Sequence, residues 1–321
     1  MNGIKLRGTG RALPSKQVTN FDLASLMDTS DEWITSRTGI QSRQHCAPEE
    51  DLTALCVLAA RRALEQAGIS PDEIGACIVA TLSPETLVPS TACMLQRELG
   101  LPRDIPCFDL NAACSGFLFG LHTMECLLNA SDRPFGLVVG AECLSRLINW
   151  EDRSTAILFG DGAGAAVVEC RPGWPSLGAV MGCRGDDELL LVDGPGSGKA
   201  PRIAMEGTKV FKFAVETVPA CMDALLEQHG LTAGDIDLFV LHQANARILD
   251  LVAKKYRIPP EKLPKNVDHC GNTSAASIPL LLAELGEQGK LFPGVKLLLA
   301  GFGGGLTWGG AILEVTKGET L

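Results

Sequence analysis

The sequence predicts an α/β fold built from two copies of one unit, and three observations carry that expectation. Two segments align without gaps at an offset of 162 residues: ALEQAGISPDEIGACIVATLS from Ala63, and LLEQHGLTAGDIDLFVLHQAN from Leu225. Each reads as a helix ending at a glycine (Gly68, Gly230), a short turn and a β-branched apolar strand. FGLVVGAE at 135–142 and VKLLLAGF at 295–302 correspond loosely at nearly the same offset. Helix-like and strand-like stretches also alternate along the chain. A period of half the chain marks duplication of a whole unit rather than a solenoid. The halves are expected to pack face to face, as 1–170 and 171–321, with the division in the Gly/Pro-rich stretch 171–202.

The elements follow in order. Thr29 and Glu32 have capping-box spacing ahead of a helix that carries Trp33 and Arg37. A helix is expected over 51–67, a strand over 75–81, a helix over 90–99 capped by Ser90, and a strand over 105–110. The run SGFLFGLHTMECLLNA comes next and is polar on almost no face, so its helix must be buried all round. Strands are expected at 135–141, 156–160 and 163–169. The second half reads as helix 208–229, strand 236–241, helices 244–256 and 273–286, and strands 295–300 and 307–315. The uncharged run from Leu297 to Leu313 holds six glycines and reads as two buried strands around a glycine loop, not a membrane span.

Composition narrows the function. A chain of 321 residues and 34.0 kDa, 46% hydrophobic and 21% charged, can bury a sizeable core without staples. A net charge of −10 and a pI near 5.1 argue against a nucleic-acid partner. One Tyr beside 11 Phe and 4 Trp disfavours a stacking platform for single strands. The twelve cysteines include no C-x-x-C and no Cys/His pair at zinc spacing, so no metal is expected. Most sit in apolar runs, as small buried hydrophobes of a reducing cytosol. MNGIKLRGTG carries no signal core, and a cytoplasmic location is expected.

Cys114 differs from the other cysteines in context. It lies in FDLNAACSGFLFG, where a strand hands over to the apolar helix, so its thiol is expected near a helix N-terminus that stabilises a thiolate. Its neighbours Ala112, Ala113, Ser115 and Gly116 are small and leave room for a substrate. The same context fits a structural cysteine at a crowded junction. His242 ends the strand DLFVLH, and strand ends of α/β folds gather catalytic groups; a purely structural hydrogen bond fits it as well. Asn272, in HCGNTSAAS, reads alone as a turn or N-cap residue. Three glycine loops imitate nucleotide motifs and fail in detail. GPGSGK at 194–199 follows Asp193 and precedes Ala200, while FGDGAGA and GFGGGL lead into strands rather than helices. GFGGG suits close backbone approach to a substrate, with an N–H aimed at a carbonyl oxygen.

DTSDEWITSRTGI, AACSGF, FGDGAGAAV, HQAN, GNTSAAS and GFGGGLTWG, in this order and spacing, resemble β-ketoacyl-acyl carrier protein synthase III over nearly the full length. The resemblance implies a thiolase-like, five-layer αβαβα fold with internal pseudo-two-fold duplication, in which Cys114 falls opposite Ala276. It implies that Cys114 attacks an acyl-CoA thioester, and that neutral His242 and Asn272 stabilise the enolate formed as malonyl-acyl carrier protein loses carbon dioxide. The oxyanion is then held by the N–H groups of Cys114 and Gly304, and Phe302 resembles the family's gating phenylalanine. No metal or redox cofactor is implied. Trp33 and Arg153 match the pair that sandwiches the CoA adenine, with Arg37 and Asn245 at further CoA positions. By themselves Trp33 reads as a helix-face core residue and Arg153 as a surface charge.

Between Arg247 and Lys265 lie six basic and two acidic residues, a local +4 against −14 elsewhere. Arg247 and Lys254 share a helix face, and with Lys255 form the docking patch that the resemblance implies for acyl carrier protein. The bland alternative is a solvated helix surface. Val88 stands where many members carry Phe, which reaches the acyl pocket of the partner in a homodimer; a smaller residue predicts longer or branched primers. Cys270 receives no role. Two other readings stay open: a related condensing enzyme of specialised metabolism, and a non-catalytic acyl-CoA-binding subunit. An acyl adduct on Cys114 separates the second from catalysis. Neither a membrane nor a nucleic acid is expected as a partner.

Overall fold

Aliphatic runs pair into two sheets in the computed structural model, which describes residues 1–316. The first sheet has the order Ile4–Ala12, Gly162–Cys170, Phe135–Glu142, Ile74–Ala80, Cys107–Leu110. Its last three strands are parallel, and Gly162–Cys170 is antiparallel to both neighbours. The second has the order Leu238–Leu241, Lys296–Gly303, Thr307–Glu314, Val180–Cys183, with only the first pair parallel. Every residue of Ile74–Ala80, Phe135–Glu142 and Gly162–Cys170 is buried, which requires helices on both faces of the sheet.

Those helices complete five layers. Leu52–Ala67 packs on the outer face of the first sheet, Gly116–Leu128 and Ser277–Glu287 lie between the sheets, and Gly207–His229 covers the second sheet. Three apolar clusters fill the spaces between layers. The middle layer is tight enough to require glycine: a Cβ on Gly140 would lie 2.2 Å from the Ala275 carbonyl oxygen, and one on Gly164 would lie 2.4 Å from Leu280 N.

Several local expectations are corrected. The Asp31–Thr38 helix is capped by Ser30, not by Thr29, because Ser30 is extended and its side chain accepts from Trp33 N at the third helical position. Residues 156–160 are not a strand: Asp152 caps a short helix over Arg153–Ala156, and Phe159 then makes a single parallel bridge to Asn272. The second middle-layer helix begins at Ser277, after a 3₁₀ turn at Ser274–Ala276. The Gly116–Leu128 helix is not buried all round. Phe119, His122, Thr123 and Leu127 are half-buried and Cys126 is exposed, a stripe on one face.

The repeat also shifts register by one residue. Turns at Ala113–Ser115 and Ser274–Ala276 precede the two middle helices, and each opens on a left-handed residue, Ala113 at φ 46° and Ser274 at φ 49°. Cys114 therefore lies opposite Ala275 rather than Ala276.

Gly140→Ala drives a Cβ into backbone that has no room to yield, so it is expected to destabilise the fold by roughly 1–3 kcal/mol. A denaturant midpoint equal to that of the unsubstituted chain would contradict this.

Candidate active site

Cys114 sits in the middle of its 3₁₀ turn and is buried. Ala113 occupies the left-handed region, which is uncommon for a residue with a Cβ and is held here by an Asn111 Oδ1 bond to Ala113 N at 3.1 Å. The glycine loop closes on this turn: a Cβ on Gly303 would lie 2.7 Å from Cys114 N. A cavity of about 1110 Å³ opens above, with Cys114, Ser274, Gly304 and Thr307 on its floor and Leu82, Leu87, Leu144 and Leu190 among its walls. Burial pushes the Cys114 thiol up to about 12, against the downward pull of the Ser274 hydroxyl. Desolvation thus opposes the thiolate stabilisation expected from the helix terminus and favours the neutral thiol.

His242 follows the strand Leu238–Leu241 and donates its N–H to Ala300 O at 2.9 Å. Its Nδ1 lies 2.6 Å from Ser277 Oγ. That hydroxyl accepts from Gln243 N at 3.3 Å, and its own proton finds its acceptor in Nδ1. The assignment leaves the ring proton on Nε2, which is buried with no partner and so is a donor ready for a ligand. Burial lowers the His242 pKa to about 3. The ring meets Phe302 edge-on at 5.4 Å. Neither residue lines the cavity over Cys114.

Asn272 is held through its backbone. Its N–H donates to Leu158 O at 2.8 Å, and its carbonyl accepts from Gly160 N at 3.0 Å. Its Oδ1 accepts from Ser274 N at 3.0 Å, which turns the NH₂ end away from that bond. Behind this bridge lies Arg43, fully buried, donating to Ile157 O at 2.5 Å and Asn20 Oδ1 at 2.8 Å. Burial lowers its pKa to about 10.

A second cluster lies outside the cavity lining. The indole of Trp33 is 4.8 Å from the guanidinium of Arg37 and 4.8 Å from that of Arg153. Asn245 caps the Ala246–Tyr256 helix and donates to Arg37 O at 3.1 Å. Arg247 lies over Phe211 at 5.4 Å. Arg247, Lys254 and Lys255 are all exposed, but Lys255 pairs with Asp223 at 3.2 Å and Lys265 pairs with Asp250. The local +4 is therefore partly offset by neighbouring carboxylates. Val88 is 87% exposed and does not line the cavity, whereas its neighbour Leu87 does.

The sequence reasoning missed Glu142, Ser274, Ser277 and Arg43. A signal was present: polar residues in runs that must be buried need partners. Two further groups of potential metal donors come together, Cys46–Cys143–Asp161 and His269–Cys270–Glu284. Their chemistry does not fit an ion. Asp161 already accepts from Cys46 N, Ser145 N, Ser145 Oγ and the Cys143 thiol. Glu284 already binds the guanidinium of Arg11 as well as His269, and that fixed cation repels a second.

Residues 108–185 match the family model for 3-oxoacyl-[acyl-carrier-protein] synthase III, and residues 226–315 match the model for its C-terminal region. A β-ketoacyl-[acyl-carrier-protein] synthase III of Clostridium acetobutylicum is 42% identical across 99% of this chain and 100% of that protein. One of Methylococcus capsulatus is 45% identical across 97% and 98%. The solved 3-oxoacyl-[acyl-carrier-protein] synthase III of Aquifex aeolicus superposes with a TM-score of 0.91 at 43% identity, covering 97% of this chain and all of that one.

Because its folded pKa lies far below the usual value near 6.5, the His242 ring is expected to stay neutral from about pH 8 to about pH 5. Imidazole NMR signals of His242 that titrate near pH 6.5 would contradict this.

Proposed function

The chain belongs to the 3-oxoacyl-[acyl-carrier-protein] synthase III family, and we propose that it works through Cys114, His242 and Asn272. Its reaction is the decarboxylative condensation of an acyl-CoA primer with malonyl-acyl carrier protein, the initiating step of fatty acid synthesis. The observation that supports the residue roles is the packing of the Cys114 turn against both the Ser274–Ala276 turn and the Lys296–Gly303 strand. The thiol attacks the thioester to give an acyl-Cys. Backbone N–H groups of Cys114 and Gly304 hold the oxyanion, and the missing side chain of Gly303 lets the two strands of backbone approach. In the second half, the Nε2–H of His242 and the amide of Asn272 donate to the malonyl thioester carbonyl. A neutral imidazole suits that task, since it donates without delivering its proton. Phe302, packed on the imidazole, shields the departing carboxylate from water.

Trp33 and Arg153 are assigned to the CoA adenine, with Arg37 and Asn245 beside it; an indole already flanked by two guanidiniums supports a site for a planar base carrying phosphates. Arg247, Lys254 and Lys255 are assigned to the acidic carrier protein. We assign the cytoplasm as its location and a homodimer as its assembly. The support is that all twelve cysteines are free, that Cys107–Leu110 is a sheet edge with no further strand among the described residues, and that Leu87 and Val88 are exposed. No helix among the described residues is long and apolar enough to cross a membrane. The reaction as drawn uses no metal or redox cofactor. The same reading divides the chain at 170/171, since each sheet draws its strands from one side of that point.

Intact mass after incubation with acyl-CoA is expected to show an acyl adduct that Cys114→Ala abolishes; tight binding without an adduct would favour a non-catalytic binder. Arg247→Glu is expected to raise KM for the carrier substrate far more than for acyl-CoA, and equal effects would remove the docking role. With Val88 small, isobutyryl- and octanoyl-CoA are expected to compete with acetyl-CoA, an expectation that a strict acetyl preference would overturn.

A further inference from the structure

A neutral buried thiol poses a question that the His–Asn pair does not answer: where the Cys114 proton goes when the sulfur attacks. His242 is a poor recipient. Its Nδ1 is occupied by Ser277, its Nε2 carries the ring proton, and burial has made it a very weak base. The Ser274 hydroxyl, by contrast, lines the same cavity as the Cys114 thiol, and the two turns that carry these residues pack against each other. Ser274 Oγ also lies 3.0 Å from Oε1 of Glu142, a carboxyl at the end of the Phe135–Glu142 strand that is fully buried. The other oxygen, Oε2, is anchored by Ser83 Oγ at 2.6 Å, Leu82 N at 3.2 Å and Thr81 Oγ1 at 3.4 Å. Among the described residues no cation pairs with Glu142. A buried, unpaired carboxylate is costly, and a task elsewhere accounts for its presence.

We propose that Glu142, acting through the Ser274 hydroxyl, takes the Cys114 proton during acylation and returns it to the departing CoA sulfur; this rests on the acyl-Cys reading above. In the forward step the S–H proton passes to Ser274 Oγ while the Ser274 O–H proton passes to Glu142 Oε1, and the sulfur lone pair forms the new C–S bond. When the tetrahedral intermediate collapses, the C–S bond to CoA breaks and its electron pair stays on the CoA sulfur. Ser274 protonates that sulfur and is refilled from Glu142. Net, an acyl group moves from CoA to Cys114 and a hydrogen moves the other way, with no proton lost to solvent. Both sulfurs are attached to the same carbon in the intermediate, so one hydroxyl can serve both.

Glu142 is accordingly a positioning residue, and Ser274 touches the reacting atom. Burial raises the Glu142 carboxyl to about 7, where it can accept and release a proton at neutral pH. The titratable groups facing it are Cys114, from the turn before Gly116–Leu128, and Cys56, from Leu52–Ala67; it pushes both thiols up. Cys143 is its chain neighbour, with Asp161 beyond it, and the Arg146–Glu85 ion pair lines the same cavity.

The test is single-turnover acylation by acyl-CoA alone, followed by mass across pH, against condensation from preformed acyl-enzyme. In the native enzyme, acylation is expected to fall as pH drops through about 7, because Glu142 must be ionised to accept. Glu142→Gln is expected to slow acylation on the order of 10²-fold and to replace that limb with a rate still rising at high pH. Glu142→Asp is expected to recover part of it, and Ser274→Ala to match Glu142→Gln. Condensation from preformed acyl-enzyme is expected to change less than about threefold in each. Acylation by Glu142→Gln at the native rate and pH profile would overturn the proposal, as would equal slowing of both halves. If Glu142→Gln does not fold, Ser274→Ala decides on the same readouts. Failure of the native enzyme to acylate at all would instead remove the acyl-Cys reading.

Discussion

The architecture depends on close approach of backbone at the centre of the molecule. Two helix-initiating turns, Ala113–Ser115 and Ser274–Ala276, must touch each other and the strand that ends in Gly303. That contact exists only because Gly140, Gly164 and Gly303 have no side chains at points where a Cβ would meet backbone at 2.2, 2.4 and 2.7 Å. Once the turns meet, elements far apart in the chain lie side by side, and Cys114 and Ser274 line one cavity. Cys114 comes from the first half, and His242, Asn272 and Ser274 come from the second. The duplication explains the geometry: both halves build the same turn, and the dyad between them brings the turns together.

Exclusion of water then sets the electrostatics of every group at that point. The thiol rises, the imidazole falls and the Glu142 carboxyl rises, all because the charged form is disfavoured in each case. The outcome is a site that is close to uncharged at rest. Neutral donors serve an enolate well, because they strengthen as charge develops and hold none beforehand. A neutral thiol serves acylation poorly unless its proton has a route out; the Ser274 hydroxyl leads to Oε1 of the buried Glu142, whose other oxygen is held by Ser83 and Thr81.

What was legible in the sequence was what periodicity and glycine placement encode. The helices ending at Gly68 and Gly230, the cap at Ser90 and the strands 75–81 and 135–141 follow from local patterns, and each lies within a residue or two of its element in the structure. Position 156–160 misled because β-branched and apolar residues also suit a segment that makes one bridge and then supports Asn272. The Gly116–Leu128 helix misled because a stripe of Phe119, His122 and Cys126 is apolar enough to look internal yet lies half outside the described chain's core. Ser274, Ser277 and Glu142 were missed because a serine in a small-residue run and an acid at a strand end carry one local signal, the need of a buried polar group for a partner, and it does not say which partner. Their meaning arises only when the two halves close.

Cys93, Cys126 and Cys183 are exposed, so what sets Cys114 apart is clearest against the other buried thiols. Cys56 and Cys77 are fully buried within apolar packing; burial pushes the Cys56 thiol up, and the Cys107 thiol, then burial, push Cys77 up. Cys143 does line the cavity, but its thiol is bonded to Asp161 and faces Cys46, and both push it up. Cys221 bonds to Val180 O and lines a different groove, beside Trp308. Cys114 alone combines access to the large cavity, a backbone N–H beside the glycine loop and a hydroxyl that draws its pKa down. Nucleophilicity here is a property of that surrounding and not of an intrinsically acidic thiol. It follows that the resting sulfur is protected by its own protonation, and becomes reactive only when a thioester arrives to accept the electron pair while the proton leaves.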